Sequence, residues 1–378
     1  MNKSIRKSAT VKKANHTSTP AKSAKRSKSS TRTIGLDVGD RYTHCCVLDH
    51  DGNIESEGRV RTTPEAMSQY LSTTRPARMA LESGTHSGWI SRLGTQCGHH
   101  MIVANPRELR KIHQSNRKND RADAQMLARM ARFDPQLLCP VRHRSADMQA
   151  DVATLRARDS VVTARTKLIN ATRGLVKAMG GRIPRCDAGS FARKALEHIP
   201  TELHEALTPL LATIGTMTQQ IHAYDHSIET LAERKYPKTT TLRQIAGVGP
   251  LVSLAFILTI AEPGRFARNR DVGAYLGLVP RQDDSGDRVS QLPITKAGDA
   301  YLRRLLVGSA HYILGPFGPD CTLRRYGERL AQRGGKNAKK RAVVAVARKL
   351  AVLLLHLWSS GEVYDPLRLP QSTIRPAA

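Results

Sequence analysis

Aromatic side chains are scarce in this sequence, 4% of 378 residues, which argues against the base-stacking platforms of single-strand-binding proteins. Acids are scarce as well: 32 Asp and Glu stand against 60 Lys and Arg, leaving a net charge of +28. The arginines run through every segment rather than one tail, so the charge reads as the footprint of a nucleic-acid binder whose main contacts are phosphates. Cys45, Cys46, Cys97, Cys139, Cys186 and Cys321 form no C-x-x-C pair and no zinc spacing; they read as reduced, packed thiols. Long apolar runs are lacking too. Residues 350–358 are apolar but too short to span a bilayer, and Lys339-Lys340-Arg341 and Arg348-Lys349 interrupt the run, so a core helix is expected there and no membrane partner. Residues 1–32 hold ten Lys or Arg, no acid and no apolar core of a signal peptide. They are expected to be a disordered arm, over 1–30, of a cytoplasmic, nucleoid-associated protein.

Against this basic background, four carboxylates stand out. Thr33-Ile34-Gly35-Leu36-Asp37-Val38-Gly39 is a short apolar run ending in an acid, and Met79-Ala80-Leu81-Glu82-Ser83-Gly84 is another. Such runs, stopped by glycine, read as buried strands. Asn119-Asp120-Arg121-Ala122-Asp123-Ala124 puts two acids three apart, on one face of a helix. Singly, each acid has a plain reading as a turn, cap or dipole partner. Clustered, they would repel unless a cation neutralised them, and hard oxygen donors suit Mg²⁺ at a phosphodiester. Strands are expected at 32–37, 42–48, 55–62, 77–82 and 100–104, with helices at 64–73, 87–97, 106–113 and 119–132. That order resembles the α/β ribonuclease H-like, or RuvC-like, nuclease fold, whose first strand, fourth strand and late helix carry its acids.

The rest of the chain reads as mainly helical. Met148, Val152, Leu155, Val162, Ile169 and Val176 mark a long helix. Leu203, Leu207, Leu210, Ile214, Met217, Ile221, Tyr224, Ile228 and Leu231 then alternate steps of four and three, a coiled-coil seam that suits either an internal hairpin or a dimerisation arm. Ile245-Ala246-Gly247-Val248-Gly249-Pro250 before an apolar stretch has the layout of a helix-hairpin-helix, in which Gly247 and Gly249 would offer backbone N–H groups to a phosphate. Asp284-Ser285-Gly286 is a good turn in a polar loop, and Lys296, Arg303 and Arg304 after it are suited to phosphates.

Together these residues resemble a known family. The strand and helix acids are similar to the DEDD signature of the insertion-sequence 110 transposases. Ile245-Ala246-Gly247-Val248-Gly249, Gly277-Leu278-Val279-Pro280-Arg281, Asp284-Ser285-Gly286 and Ile294-Thr295-Lys296-Ala297-Gly298 are similar to that family's second domain. The resemblance, over about 31–365, implies a RuvC-like domain joined by a coiled coil to a helix-hairpin-helix-containing transposase domain. It implies that Asp37, Glu82, Asp120 and Asp123 bind Mg²⁺, that Ser285 is the nucleophile, and that a structured guide RNA pairs with donor and target DNA. It further implies a tetramer in which one subunit's serine completes another's acidic site, so a homodimer or homotetramer is expected. The expected layout is an arm (1–30), a RuvC-like domain (31–145), coiled-coil helices (146–236), a serine-carrying domain (237–365) and a tail (366–378). Two other readings are a junction resolvase using only the acids and water, and a non-enzymatic architectural or RNA-binding protein.

The arm can be tested alone. Deleting residues 1–30 should weaken DNA binding and flatten its salt dependence, because phosphate-seeking charges are lost, without slowing cleavage at saturating DNA. An unchanged salt slope would show that the arm does not touch nucleic acid.

Overall fold

The computed structural model describes residues 32–112, 119–282 and 292–368. The chain divides into two compact units, one ending at His143 and one beginning at Arg144.

The first unit is built on five strands: β1 (Thr33–Val38), β2 (Tyr42–Leu48), β3 (Ile54–Arg61), β4 (Arg78–Glu82) and β5 (His100–Ala104). Their order across the sheet is β3-β2-β1-β4-β5. The first three are antiparallel, while β4 and β5 run parallel to β1. Helices α1 (Pro64–Thr73), α2 (Ser87–Gln96), α3 (Pro106–Ile112) and α4 (Asp120–Phe133) complete the unit, a mixed α/β fold. Alternate strand residues point to opposite faces, and both faces are covered. Ile34, Leu36, Met79 and Leu81 pack with Met67, Leu71 and Ile90 of α1 and α2. On the other face Ala80, Ile102 and Ala104 pack with Leu127 and Ala131 of α4. The edge strand β3, IESEGRVR, is mostly exposed and charged, which blunts its open hydrogen-bonding groups.

The second unit opens with α5 (Ala146–Ala178) and α7 (His204–Arg234), with α6 (Phe191–Leu196) between them. Arg158 reaches Asp225 and Arg165 reaches Thr218, so α5 and α7 run antiparallel as a hairpin within one chain. The seam is uneven. Leu207, Ile214, Ile221 and Ile228, every seventh residue, are fully buried, whereas Leu203, Leu210, Met217, Tyr224 and Leu231 are only half-buried. Helices α5 and α6 and the later helix at Pro250–Ile260 all pack on α7, yet one flank of the stripe is left partly open. Asp151 of α5 is buried, with Tyr236 Oη donating to it at 2.5 Å and Lys235 Nζ at 2.7 Å.

The remaining helices are α8 (Thr239–Leu242), α9 (Pro250–Ile260), α10 (Val272–Tyr275), α11 (Ala300–Leu314), α12 (Thr322–Gln332) and α13 (Ala338–Ser360). Helix α9 is apolar all round and enclosed from Ser253 to Ile260, as a helix with no polar face must be. By length and composition α13 could cross a membrane, with a mean hydropathy of 1.6 in its richest window, but half of that window is buried inside this unit. Its Val346, Leu350, Leu354 and Leu357 join the core around α9 and α11.

Helix α4 comes hard against strand β1 at Gly35. A Cβ there would lie 1.9 Å from the Ala124 carbonyl oxygen and 2.6 Å from the Ala128 nitrogen of α4. Gly35→Ala should therefore cost about 2–4 kcal/mol of first-unit stability, read as a lowered midpoint of thermal or urea unfolding. A loss near zero would show that α4 can back away from the sheet.

Candidate active site

The acids are brought together by three local rules. Strands β1 and β4 are parallel neighbours, with Leu36 beside Leu81, so Asp37 and Glu82, each one residue on, emerge at the same carboxyl edge of the sheet. That edge is where open α/β sheets place their ligands. Helix α4 starts beside it, and Asn119 caps that start, its side chain accepting from Arg121 N at 3.1 Å. Asp120 and Asp123 then share a face one turn into α4. Across the sheet, Arg121 pairs with Glu57 of β3, and Gln125 donates to the same carboxylate at 2.5 Å. These bonds hold the rotation of the helix.

The cost of this convergence falls on Asp37. Its carboxyl is raised from 3.8 to about 6, first by burial and then by repulsion from Asp120, Asp123 and Glu82 in that order, with His44 pulling the other way. Among the described residues, no group of three or more His, Cys, Asp or Glu side chains is gathered tightly enough to hold a metal as it stands. The donor set nevertheless suits a hard divalent cation, since its acids repel one another over a partly buried carboxyl, and the Asp120 side chain is 57% exposed. A cavity of about 370 Å³ opens over the site, lined by Asp37, Asp40, Glu82, His86 and Ser87.

In the second unit, residues 277–281 and 293–298 form a pinched ribbon. Pro280 and Ile294 bridge antiparallel, Arg281 N donates to Pro293 O at 2.9 Å, and Thr295 N donates to Val279 O at 2.9 Å. Gly277, at φ +67, lets the ribbon close: a Cβ there would sit 2.1 Å from Ala297 N. Ser285 follows this ribbon but lies outside the described residues.

Residues 34–180 match a family model described as a DEDD-type transposase, and residues 239–319 match one described as the transposase IS116/IS110/IS902 family. Together they cover more than half the chain, one for each set of motifs. The chain belongs to the IS110 family of transposases. It is 28% identical over 360 residues to the transposase for insertion sequence element IS1111A of Coxiella burnetii, covering 91% of this chain and 94% of that one. It is 28% identical over 351 residues to the transposase for IS1328 of Yersinia enterocolitica, covering 88% and 98%. A pilin gene-inverting protein of Moraxella lacunata is 27% identical over 151 residues, 40% of this chain and 45% of its own. The transposase is thus an enzyme that acts on DNA.

Several expected nucleic-acid contacts have other partners. Arg303 Nη1 donates to Leu276 O at 2.9 Å and Ala297 O at 2.6 Å, tying the ribbon to α11. Arg304 pairs with Asp159 and lies over the Tyr301 ring. A Cβ on Gly247 would meet Tyr312 Cδ1 at 2.9 Å, so packing against α11 accounts for that glycine. Gly249 faces open space at the start of α9. Helix α8, ahead of this hairpin, is a single turn. Lys296 is exposed, at φ +54.

Two histidines of the transposase were not anticipated. His44 sits opposite Asp37 in the β1–β2 register, with Nε2 3.9 Å from Asp120. His86 Nε2 lies 3.5 Å from Asp40, and Trp89 Nε1 donates to its Nδ1 at 3.2 Å. Only strand register reveals the first, by counting across the short turn after Asp37.

The raised Asp37 pKa has a stability consequence. The fold disfavours its charged form, so the penalty is absent below the unfolded value of 3.8, grows as pH rises through 6, and is complete above it. Asp37→Asn should match the wild type near pH 4 and exceed it at about pH 7.5 in chelator. Allowing for solvent screening, the gap is about 1 kcal/mol in urea unfolding. A gap independent of pH would show that Asp37 is not the group titrating.

Proposed function

We propose that this transposase cuts and rejoins DNA by transesterification through a serine–DNA intermediate. The observation that carries the reading is the convergence of Glu82, Asp120 and Asp123 on a partly buried Asp37, whose carboxyl is pushed up to about 6. A purely structural set of acids has no reason to bear that repulsion without a cation.

Asp37, Glu82, Asp120 and Asp123 would hold Mg²⁺. When bound, such ions stabilise the attacking and leaving oxygens of a phosphodiester. Ser285 supplies the nucleophile. Its Oγ forms a bond to phosphorus as the bond to the departing sugar oxygen breaks, and the hydroxyl proton ends on that oxygen. One phosphoester replaces another, so the strand can be rejoined without an energy source. A water nucleophile would stop at cleavage. The gene-inverting relative bears on this point, because inversion requires rejoining, which a resolvase or nuclease using only the acids would not achieve. Lys296 and the N–H groups around Gly249 are assigned to DNA phosphates, with Arg303 holding the ribbon behind them and Arg304 tying α11 to α5. A structured RNA pairing with donor and target DNA supplies sequence specificity, and +28 suits either nucleic acid. The half-buried flank of the α7 seam is assigned to a homodimer or homotetramer in which one subunit's serine serves another's acids. Its working compartment is the cytoplasm, beside the nucleoid.

Denaturing gels of protein incubated with element-end DNA and RNA test this directly. Ser285→Ala should bind DNA yet form no covalent adduct. Asp37→Asn, Glu82→Gln, Asp120→Asn and Asp123→Asn should each slow cleavage by roughly a hundredfold or more. Mixing Ser285→Ala with Asp37→Asn subunits should restore some adduct if sites are shared. An adduct persisting in Ser285→Ala would remove the serine from the mechanism, and cleavage at the wild-type rate would remove the acid concerned.

A further inference from the structure

A groove of about 1020 Å³ runs along α12 and α13 in the second unit. Its floor is aliphatic, formed by Leu278, Leu323, Leu330, Val344, Val352 and Leu353. Its rim is cationic, with Arg270, Arg333, Lys340, Arg341, Arg348 and Lys349, and no carboxylate lines it among the described residues. None of these side chains has a part in the chemistry above.

The rim by itself would suit nucleic acid, but the floor does not. A duplex offers phosphates to a surface and would leave the aliphatic floor facing water. Unpaired bases need open aromatic faces. Of the two rings in the lining, Tyr326 already has Lys349 Nζ 4.1 Å from its centre, and His356 Nε2 lies 3.5 Å from the Glu362 carboxylate. A second copy of this chain would bring a surface carrying the same excess of positive charge. An aliphatic trough between cationic banks is complementary to a helix with an apolar face and acidic flanks.

We propose that this groove docks an acidic amphipathic helix of another protein, its apolar face on Leu330, Val344 and Leu353 and its carboxylates on Arg333, Lys340 and their neighbours. Pro280 and Ile294 of the ribbon also line the groove, so the docked helix lies against the base of the segment that carries Ser285. The binding itself does not depend on the serine chemistry.

The test uses the full chain and a synthetic peptide of about 18 residues, five turns of helix. Its leucines recur at i, i+3, i+4 and i+7 with glutamates on both flanks, and a scramble of identical composition is the control. The patterned peptide should bind with a roughly micromolar Kd and gain helical circular dichroism. A benzophenone on its apolar face should cross-link to α12 and α13. Arg333→Glu with Lys340→Glu, both at exposed positions, should keep the melting temperature and lose roughly tenfold or more in affinity. Equal binding by the scramble would overturn the proposal, since only net charge would then be at work. Displacement of the peptide by DNA or RNA, with the same loss of nucleic-acid affinity in the double variant, would make the groove a nucleic-acid surface instead. A change in the protein's mass by light scattering in that variant would show that a second copy covers it.

Discussion

Helix α4 can lie on strand β1 only because Gly35 has no side chain, and the rest of the first unit is arranged around that contact. It sets the helix low enough for Asp120 and Asp123 to act on Asp37. The same contact buries Leu127, Ala128 and Ala131 against the sheet, and this apolar burial offsets the repulsion among the acids. Arg121 and Gln125, both gripping Glu57, add a polar hold at the far edge. The repulsion is therefore maintained by packing on one side and charge-assisted hydrogen bonds on the other.

Much of this unit was legible in the sequence, because its cues are local. Short apolar runs stopped by an acid and a glycine marked β1 and β4, and the Asn119-Asp120 pair marked the start of α4; each strand boundary falls within a residue or two of expectation. The acids were singled out for the same reason: each sits where a regular element begins or ends. What escaped was set by register and tertiary packing. His44 reaches the site only through the partner strand. The α7 stripe announces an apolar seam but not how many helices will cover it. The buried Asp151 resembles any other charged residue of a long helix until Tyr236 and Lys235 are seen to close over it.

Arginine explains a further gap between sequence and structure. A net charge of +28 invites the view that basic side chains face nucleic acid, yet many of them bind the protein's own carbonyl groups. Arg324 Nη1 donates to Ile313 O in the last turn of α11 and to Gly315 O and Gly318 O just beyond it. Arg173 holds Ile183 O and Pro184 O after α5, and Arg144 holds Leu258 O in α9. The guanidinium carries five donors in a rigid fork and no acceptor, which suits it to gathering carbonyls left unpaired at helix ends. Part of the basic composition is therefore internal fastening.

The ribbon at Pro280 and Ile294 has a consequence for distance. Arg281 N and Pro293 O are held 2.9 Å apart, so the segment between them leaves and returns at one point, like a noose on a post. Ser285 is four residues from Arg281, and an extended chain covers about 3.5 Å per residue, so its Cα can lie no farther than about 14 Å from that post. On the reading proposed above, the nucleophile works on a short leash. A phosphate destined for it must then be carried to within that radius by whatever positions the DNA, and accuracy of attack depends on how firmly the post is set into α11, α12 and α13.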